Sequence, residues 1–249
     1  MRRFLLFGVL LLPLAGQENT ALEHARTVNL ERAAKLPSFV MDEKATRYKS
    51  RHTDPPKWEA FDTIESEIVV RGKGFTRENV RRDGNAWKKP NFSDFNWGIP
   101  FGNEIKPVFD PKCSTVIKFE GREDAHGKQL LAYGFHSPPN GCFGNFMVTR
   151  GFFGSKIYNP ARTGRILIDD PGGNVIQFEE EASEFPKGFG ADPMKGTTTW
   201  DYITIGDASH LLPVAEDIYG GFTFADLWHV VVEYKNHRHF EASTNITFK

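Results

Sequence analysis

Three histidines are the first residues in this chain that could hold a metal. His237 and His239 stand two apart in a run that reads as a strand, so both rings project from one face, and His229 lies on the run before it. Three imidazoles meeting there would suit zinc. The opposite parity is apolar, with Phe240, Ile246 and Phe248, so the same spacing also describes a solvated outer face, and no metal is assigned. A second cluster, Gly72 and Gly74 among Arg71, Lys73, Arg77, Arg81, Arg82, Lys88 and Lys89, has the ingredients of an anion cradle. No strand-to-helix pattern follows its glycines and no Walker lysine-serine pair is present, which excludes a nucleotide site. Its charges are left to anionic head groups at a membrane surface or to a solvated hairpin face. The paired acids Asp169-Asp170 and Glu179 to Glu181 read as a turn and an exposed strand face, and no serine sits in a nucleophile elbow. The expectation is a non-catalytic protein without a cofactor.

Cys113 and Cys142 are the only cysteines. A plain hairpin register, with turns near Asp124 and Pro139, would set them on either side of His136, about 9.6 Å apart at two strand spacings. A disulfide tolerates only about 7 Å. Either the segment from Ser137 to Gly144 leaves the sheet and folds back to allow the bond, or both thiols stay free.

The compartment bears on that choice. Met1, Arg2 and Arg3 lead into the apolar run Phe4 to Leu14 and then Ala15 and Gly16. A basic start, a run far short of the roughly 20 residues of a membrane span, and a small-residue end describe a cleaved export signal over residues 1–16. Gln17 and Glu18 follow where a lipid-anchored protein would carry cysteine, so no lipid anchor is expected. The mature chain, residues 17–249, is expected in the periplasm or secreted, where the two cysteines would pair. Losing Arg2 and Arg3 moves the formal charge from −1 to −3, which gives no reason to expect nucleic acid. No Gly/Ser or Pro linker divides the mature chain, so one domain is expected.

The elements that would position these residues are one helix and many strands. Thr20 and Glu23 have capping-box spacing, Leu22, Ala25, Ala33 and Ala34 form a partial apolar stripe, and Pro37 ends the pattern, which predicts a helix over 20–35. Strands are predicted at Phe39–Lys49, Trp58–Arg71, Phe75–Arg82, Thr115–Glu120, Gln129–Phe135, Phe143–Thr149, Arg165–Asp169, Val175–Ala182, Thr198–Ile205, Phe222–Tyr234 and Arg238–Phe248. Asp83-Gly84, Asn140-Gly141 and Pro171-Gly172-Gly173 supply turns. The fold class is mainly β: a curved antiparallel meander, or half-barrel, lidded by the N-terminal helix and a short helical loop near Trp97 to Phe101.

Twenty-two phenylalanines against four methionines mean that rings supply much of the core. Alternation puts Phe119, Tyr133, Phe135, Phe178, Trp200, Tyr202, Trp228 and Val230 on the apolar face, where they are candidates to line a ligand cavity. The Phe/Gly segment 141–154, with Phe143, Phe146, Phe152 and Phe153, reads as core or as a mobile cavity mouth.

These residues carry a resemblance. Leu36-Pro37-Ser38-Phe39 with Glu43, Arg47 and Tyr48, then Phe109-Asp110-Pro111, Pro160-Ala161 with Gly164, Ile166, Ile168 and Asp169, Asp201-Tyr202 with Gly206 and Leu211-Leu212-Pro213, and Phe240 with Ile246 and Phe248 together resemble a family of uncharacterised exported bacterial proteins. That family is similar in architecture to the periplasmic lipoprotein carriers and their outer-membrane receptor, the LolA/LolB-like half-barrels. The resemblance implies an open, bent sheet closed by helices over an apolar cavity, and a container for a lipid or other hydrophobic small molecule with transient membrane-surface contact. An envelope interaction or structural protein with a filled core is the alternative, and a hydrolase a distant third.

Overall fold

A computed structural model describes residues 14–32, 36–72, 74–91, 94–95, 97–102, 104–149 and 155–240, with the side chains of 14–18 and 149 left aside. Most of the expected signal (1–13), Ala33 and Ala34, Lys73, Phe152 and Phe153, and Ile246 and Phe248 lie outside the described residues.

The helix α1 runs from Leu14 to Arg32. It starts earlier than the capping-box spacing predicts, so Thr20 lies inside the helix, and Glu23 pairs with Arg26 at 2.8 Å instead of capping. Then come β1 (Phe39–Ser50), β2 (Glu59–Arg71), β3 (Gly74–Arg82) and the short β4 (Asn85–Ala86). A connection with the one-turn helix α2 (Lys106–Phe109) leads to β5 (Val116–Ala125) and β6 (Lys128–Ser137). The hairpin β7 (Phe146–Thr149) and β8 (Ser155–Tyr158) precedes β9 (Ala161–Asp169), β10 (Val175–Ser183), β11 (Met194–Ile205), β12 (Ala208–Gly220) and β13 (Leu227–His239).

Eleven strands form one antiparallel sheet in the order β4-β3-β2-β1-β13-β12-β11-β10-β9-β6-β5, which is not closed into a barrel. The meander is present with two departures. The chain starts mid-sheet and β13 returns to pair with β1, while β7 and β8 leave the sheet so that β6 pairs with β9. The run predicted as Phe143–Thr149 is therefore a separate hairpin. The strand Ala208–Gly220 was not among the expected ones, and Pro213 falls in its middle. There the register of β11 and β12 shifts between Thr199 and Trp200, and a bulge is one of the few places in a sheet where proline's missing N–H is harmless.

One face of the sheet carries two covering elements. Ala25, with Ala21, Leu22 and Leu30, packs α1 on a cluster built from Tyr133, Phe135, Ile166, Phe178 and Trp200. Trp97, Ile99 and Phe101 of the connecting loop pack on Phe39, Met41, Ile64, Ile68, Val230 and Val232. Helix and loop are the two lids that the alternation of the strands demands. Asn29 fixes the first: its amide donates to the Ala25 and Gly173 carbonyls (2.7 and 2.8 Å) and accepts from the Val175 N–H (3.2 Å). Gly173 has φ +74°, and a Cβ there would stand 2.6 Å from the His24 ring, so turn and helix approach this closely only because position 173 is glycine.

Candidate functional site

Opposed residues of neighbouring strands share a face, so the registers define rows across the covered face. One row runs Arg162, Ala182, Met194, and the next Gly164, Glu180, Gly196, Ile218, Val230. In the second row Gly164 and Gly196 have no side chain. At Gly164 there is no room: a Cβ would collide with the Glu179 carbonyl oxygen and stand 2.7 Å from the Phe135 ring, which stacks on Phe178 (5.6 Å between centroids) and Phe143 (6.1 Å). At Gly196 a Cβ would meet nothing closer than 3.9 Å.

That gap is the floor of a cavity of about 360 Å³ lined by Phe146, Arg162, Glu180, Met194, Gly196, Ile218, Phe222 and Trp228. Phe146 belongs to the β7–β8 hairpin, so the element that leaves the sheet becomes a wall of the cavity. The volume lies at the lower end of the range of small-molecule sites. Its walls are apolar apart from Arg162 and Glu180, whose closest atoms are 3.7 Å apart.

The predicted cavity residues divide around it. Trp228 lines the cavity, whereas Tyr133, Phe135 and Phe178 are packed against one another and Phe119 lies edge-on to Tyr133 at 5.2 Å. Trp200 is fully buried, donates from Nε1 to the Pro100 carbonyl (3.1 Å) and carries the Arg32 guanidinium over its ring at 4.7 Å. Val230 belongs to the cluster under the Trp97 loop. Tyr202 is 38% exposed and donates to Asp169 at the turn that holds α1. Its phenol is pushed up to about 12, first by burial and then by the Asp169 carboxylate.

A buried polar cluster under the loop was not expected from the sequence. Glu43 of β1 is fully enclosed: Oε1 accepts from Trp97 Nε1 (2.8 Å) and Arg77 Nη2 (2.9 Å), and Oε2 from Ser66 Oγ (2.6 Å) and Arg77 Nε (2.8 Å). The Arg77 guanidinium lies over the rings of Phe95 (4.4 Å) and Trp97 (5.3 Å). Arg82 meets the buried Asp62 at 2.7 Å alongside Arg47 at 2.5 Å, and Arg71 lies over Phe240 at 4.3 Å. Of the basic set read as an exposed hairpin face, Arg77 turns inward, while Arg71 and Arg81 stay exposed and Arg82 reaches Asp62 from the rim. Arg77 faces the same side as Ile68, its partner on β2, and only that strand parity could have signalled it.

Beside this cluster, Tyr234 donates to Glu216 at 2.8 Å. Burial, with the neighbouring charges of Glu104 and Glu43, pushes the Glu216 carboxyl up to about 8 against the Tyr234 hydrogen bond and Arg77. Burial likewise takes Glu104 to about 7, against its hydrogen bonds from backbone N–H groups and the Arg32 charge. A carboxyl raised in the folded state stabilises fully below its unfolded value and loses that contribution as pH climbs through the folded one. Stability should therefore fall between pH 5 and 8.5. Glu216→Gln, which mimics the protonated acid, should match the wild type near pH 5 and exceed it at pH 8.5 by on the order of 2 kcal/mol in urea unfolding. An equal loss with pH in both proteins would contradict this.

The histidines do not converge. His229 faces Asp217 at 2.8 Å and stacks on Tyr48 (5.3 Å), in an outer-face groove of about 460 Å³ with Trp58 and Tyr219. His237, on the same strand rather than the next one, meets the Pro213 carbonyl at 3.0 Å. Among the described residues no three His, Cys, Asp or Glu side chains are grouped to hold a metal. Cys113 and Cys142 are bonded with their Cα atoms 5.2 Å apart; the segment after Ser137 leaves the sheet, so the two-strand separation of a plain meander does not arise.

The architecture is an open antiparallel sheet with one face covered in part by a helix and a loop and, beside the β7–β8 hairpin, a small mostly apolar cavity. No family model matches the sequence, and no curated protein does. Among solved structures the chain is similar to a LolA superfamily protein from Nitrosomonas europaea at 10% identity, covering 93% of this chain and 97% of that one with a TM-score of 0.35. It is similar to a DUF1329 family protein from Desulfovibrio piger at 8% identity, covering 93% and 94% with a TM-score of 0.42. A domain from Vibrio parahaemolyticus described as an outer membrane lipoprotein-sorting protein shares 8% identity over 91% and 95% with a TM-score of 0.39.

Proposed function

We propose that this protein is an exported, non-catalytic carrier that holds a lipid or another hydrophobic small molecule on the covered face of its sheet. The observation that carries this reading is the cavity floored by Gly196, walled by Phe146, Met194, Ile218, Phe222 and Trp228. Export rests on the pattern of residues 1–16, and the whole mature chain acts as one domain. A core that merely needed filling would place a side chain at position 196, where there is room for one.

The neutral apolar dye N-phenyl-1-naphthylamine should bind saturably with a Kd on the order of micromolar. Gly196→Leu, which puts an isobutyl group into the cavity, should weaken that binding at least about tenfold, a loss of about 1.4 kcal/mol, while the protein still melts cooperatively. No saturable binding to folded wild type would favour the interaction-protein reading, with the face filled by its own side chains.

A further inference from the structure

The polar end of the cavity is built from a charge that the fold leaves incompletely satisfied. Arg162 comes from β9 and points into the cavity with only 8% of its side chain exposed. Its Nε has no hydrogen-bond partner among the described residues. The guanidinium lies over the ring of Phe146 at 4.5 Å and near that of Phe143 at 5.7 Å, contacts that shield it without accepting its hydrogen bonds. Glu180 is the nearby carboxylate, and at 3.7 Å it gives charge compensation without a hydrogen bond. A buried donor left unmet costs more than an ordinary hydrogen bond gains, and the planar fork of arginine is best met by two oxygens of one anion.

The rest of the cavity suits the other end of such a molecule. From Arg162 on β9 the lining crosses β10, β11 and β12 to Trp228 on β13, four strand spacings or about 19 Å along the sheet. Beyond Glu180 on β10, the lining residues Met194, Gly196, Ile218 and Phe222 carry no charge.

We propose that the cavity selects a single-chain amphiphile with an anionic head group, carboxylate or phosphate, whose head meets Arg162 and whose chain runs toward Trp228. This rests on the carrier reading and names its ligand class. Glu180, 3.7 Å from Arg162 and partly open to solvent, is the anion with which the head group competes. Removing that carboxylate should free Arg162 for the ligand. The two polar residues are thus expected to act with opposite signs.

Calorimetric titration of decanoate, decyl phosphate and neutral decanol into the wild type, Arg162→Gln and Glu180→Gln tests it. Decanoate or decyl phosphate, or both, should bind the wild type, and which of them binds identifies the head group. That binding should weaken about tenfold or more in Arg162→Gln, as expected for a lost charge-assisted hydrogen bond, and tighten severalfold in Glu180→Gln, while decanol responds to neither change. Should Arg162→Gln fail to fold, the Glu180→Gln gain for anions alone carries the result. Equal affinity for decanol and the anions, unmoved by either substitution, would overturn the anionic head group and leave the carrier standing. No binding of any of the three to folded wild type would overturn both.

Discussion

Glu43→Leu should lower the stability of this protein by about 3–5 kcal/mol in urea unfolding, because it strands a charge and not because it removes a favourable pair. The Glu43 carboxylate accepts both Arg77 nitrogens, the Trp97 indole and the Ser66 hydroxyl, with no water-facing surface of its own. Once it is gone, the Arg77 guanidinium keeps its place over Phe95 and Trp97 without the anion that accepted its hydrogen bonds, and Trp97 loses its acceptor. Replacing both members of a buried pair with apolar side chains of similar volume is often neutral. Glu43→Leu with Arg77→Met should therefore recover at least half of the loss. If the double variant is as unstable as the single, the damage comes from the contacts of Glu43 itself rather than from the orphaned arginine. Phe95 and Trp97 lie over this pair, so the single variant should also open the loop from Trp97 to Phe101 first, seen as faster amide exchange at Trp97 and Ile99.

The lid was legible because it is a necessity of strand patterning. Ile117 and Phe119 on β5 alternate with Lys118 and Glu120, and Val232 and Tyr234 on β13 with Glu233 and Lys235, so one face of the sheet had to be covered. Little outside the sheet except the N-terminal helix and the tryptophan-bearing loop could cover it. What was hidden depends on register. Pro213 sits within a strand beside a bulge that no local pattern announces. Glu43 and Arg77 are 34 residues apart, and their meeting follows from β1 pairing with β2 and β2 with β3. The strand order hid the row of Arg162, since nothing local tells that β6 skips β7 and β8 to pair with β9. Gly196 did offer a signal. A lone glycine inside an alternating strand weakens it and often marks a close approach or an empty site, and here it marks the floor of the cavity.

The disulfide should contribute about 3–4 kcal/mol, the value expected for closing a loop of this length in the unfolded chain. Cys113 ends the 3₁₀ turn Pro111–Cys113 just before β5, and Cys142 lies 29 residues on, in the turn after β6. That turn has a second tether, because Asn159 donates to the Gly141 and Phe143 carbonyls (2.9 and 2.7 Å) and its own carbonyl accepts the Asn140 N–H (3.0 Å). Reduction should therefore destabilise the protein without releasing the turn, and Phe143 should stay stacked on Phe135 beside Arg162. Cys113→Ala with Cys142→Ala should lower the unfolding midpoint while leaving the near-ultraviolet dichroism of the folded protein unchanged. Thiol titration of unfolded, unreduced protein prepared from an oxidising compartment should find no reactive thiol. Two per chain would sink the bond. An unchanged midpoint in the double variant would mean instead that the Asn159 tether alone holds the segment, and that the unfolded chain gains no freedom when the bond is lost.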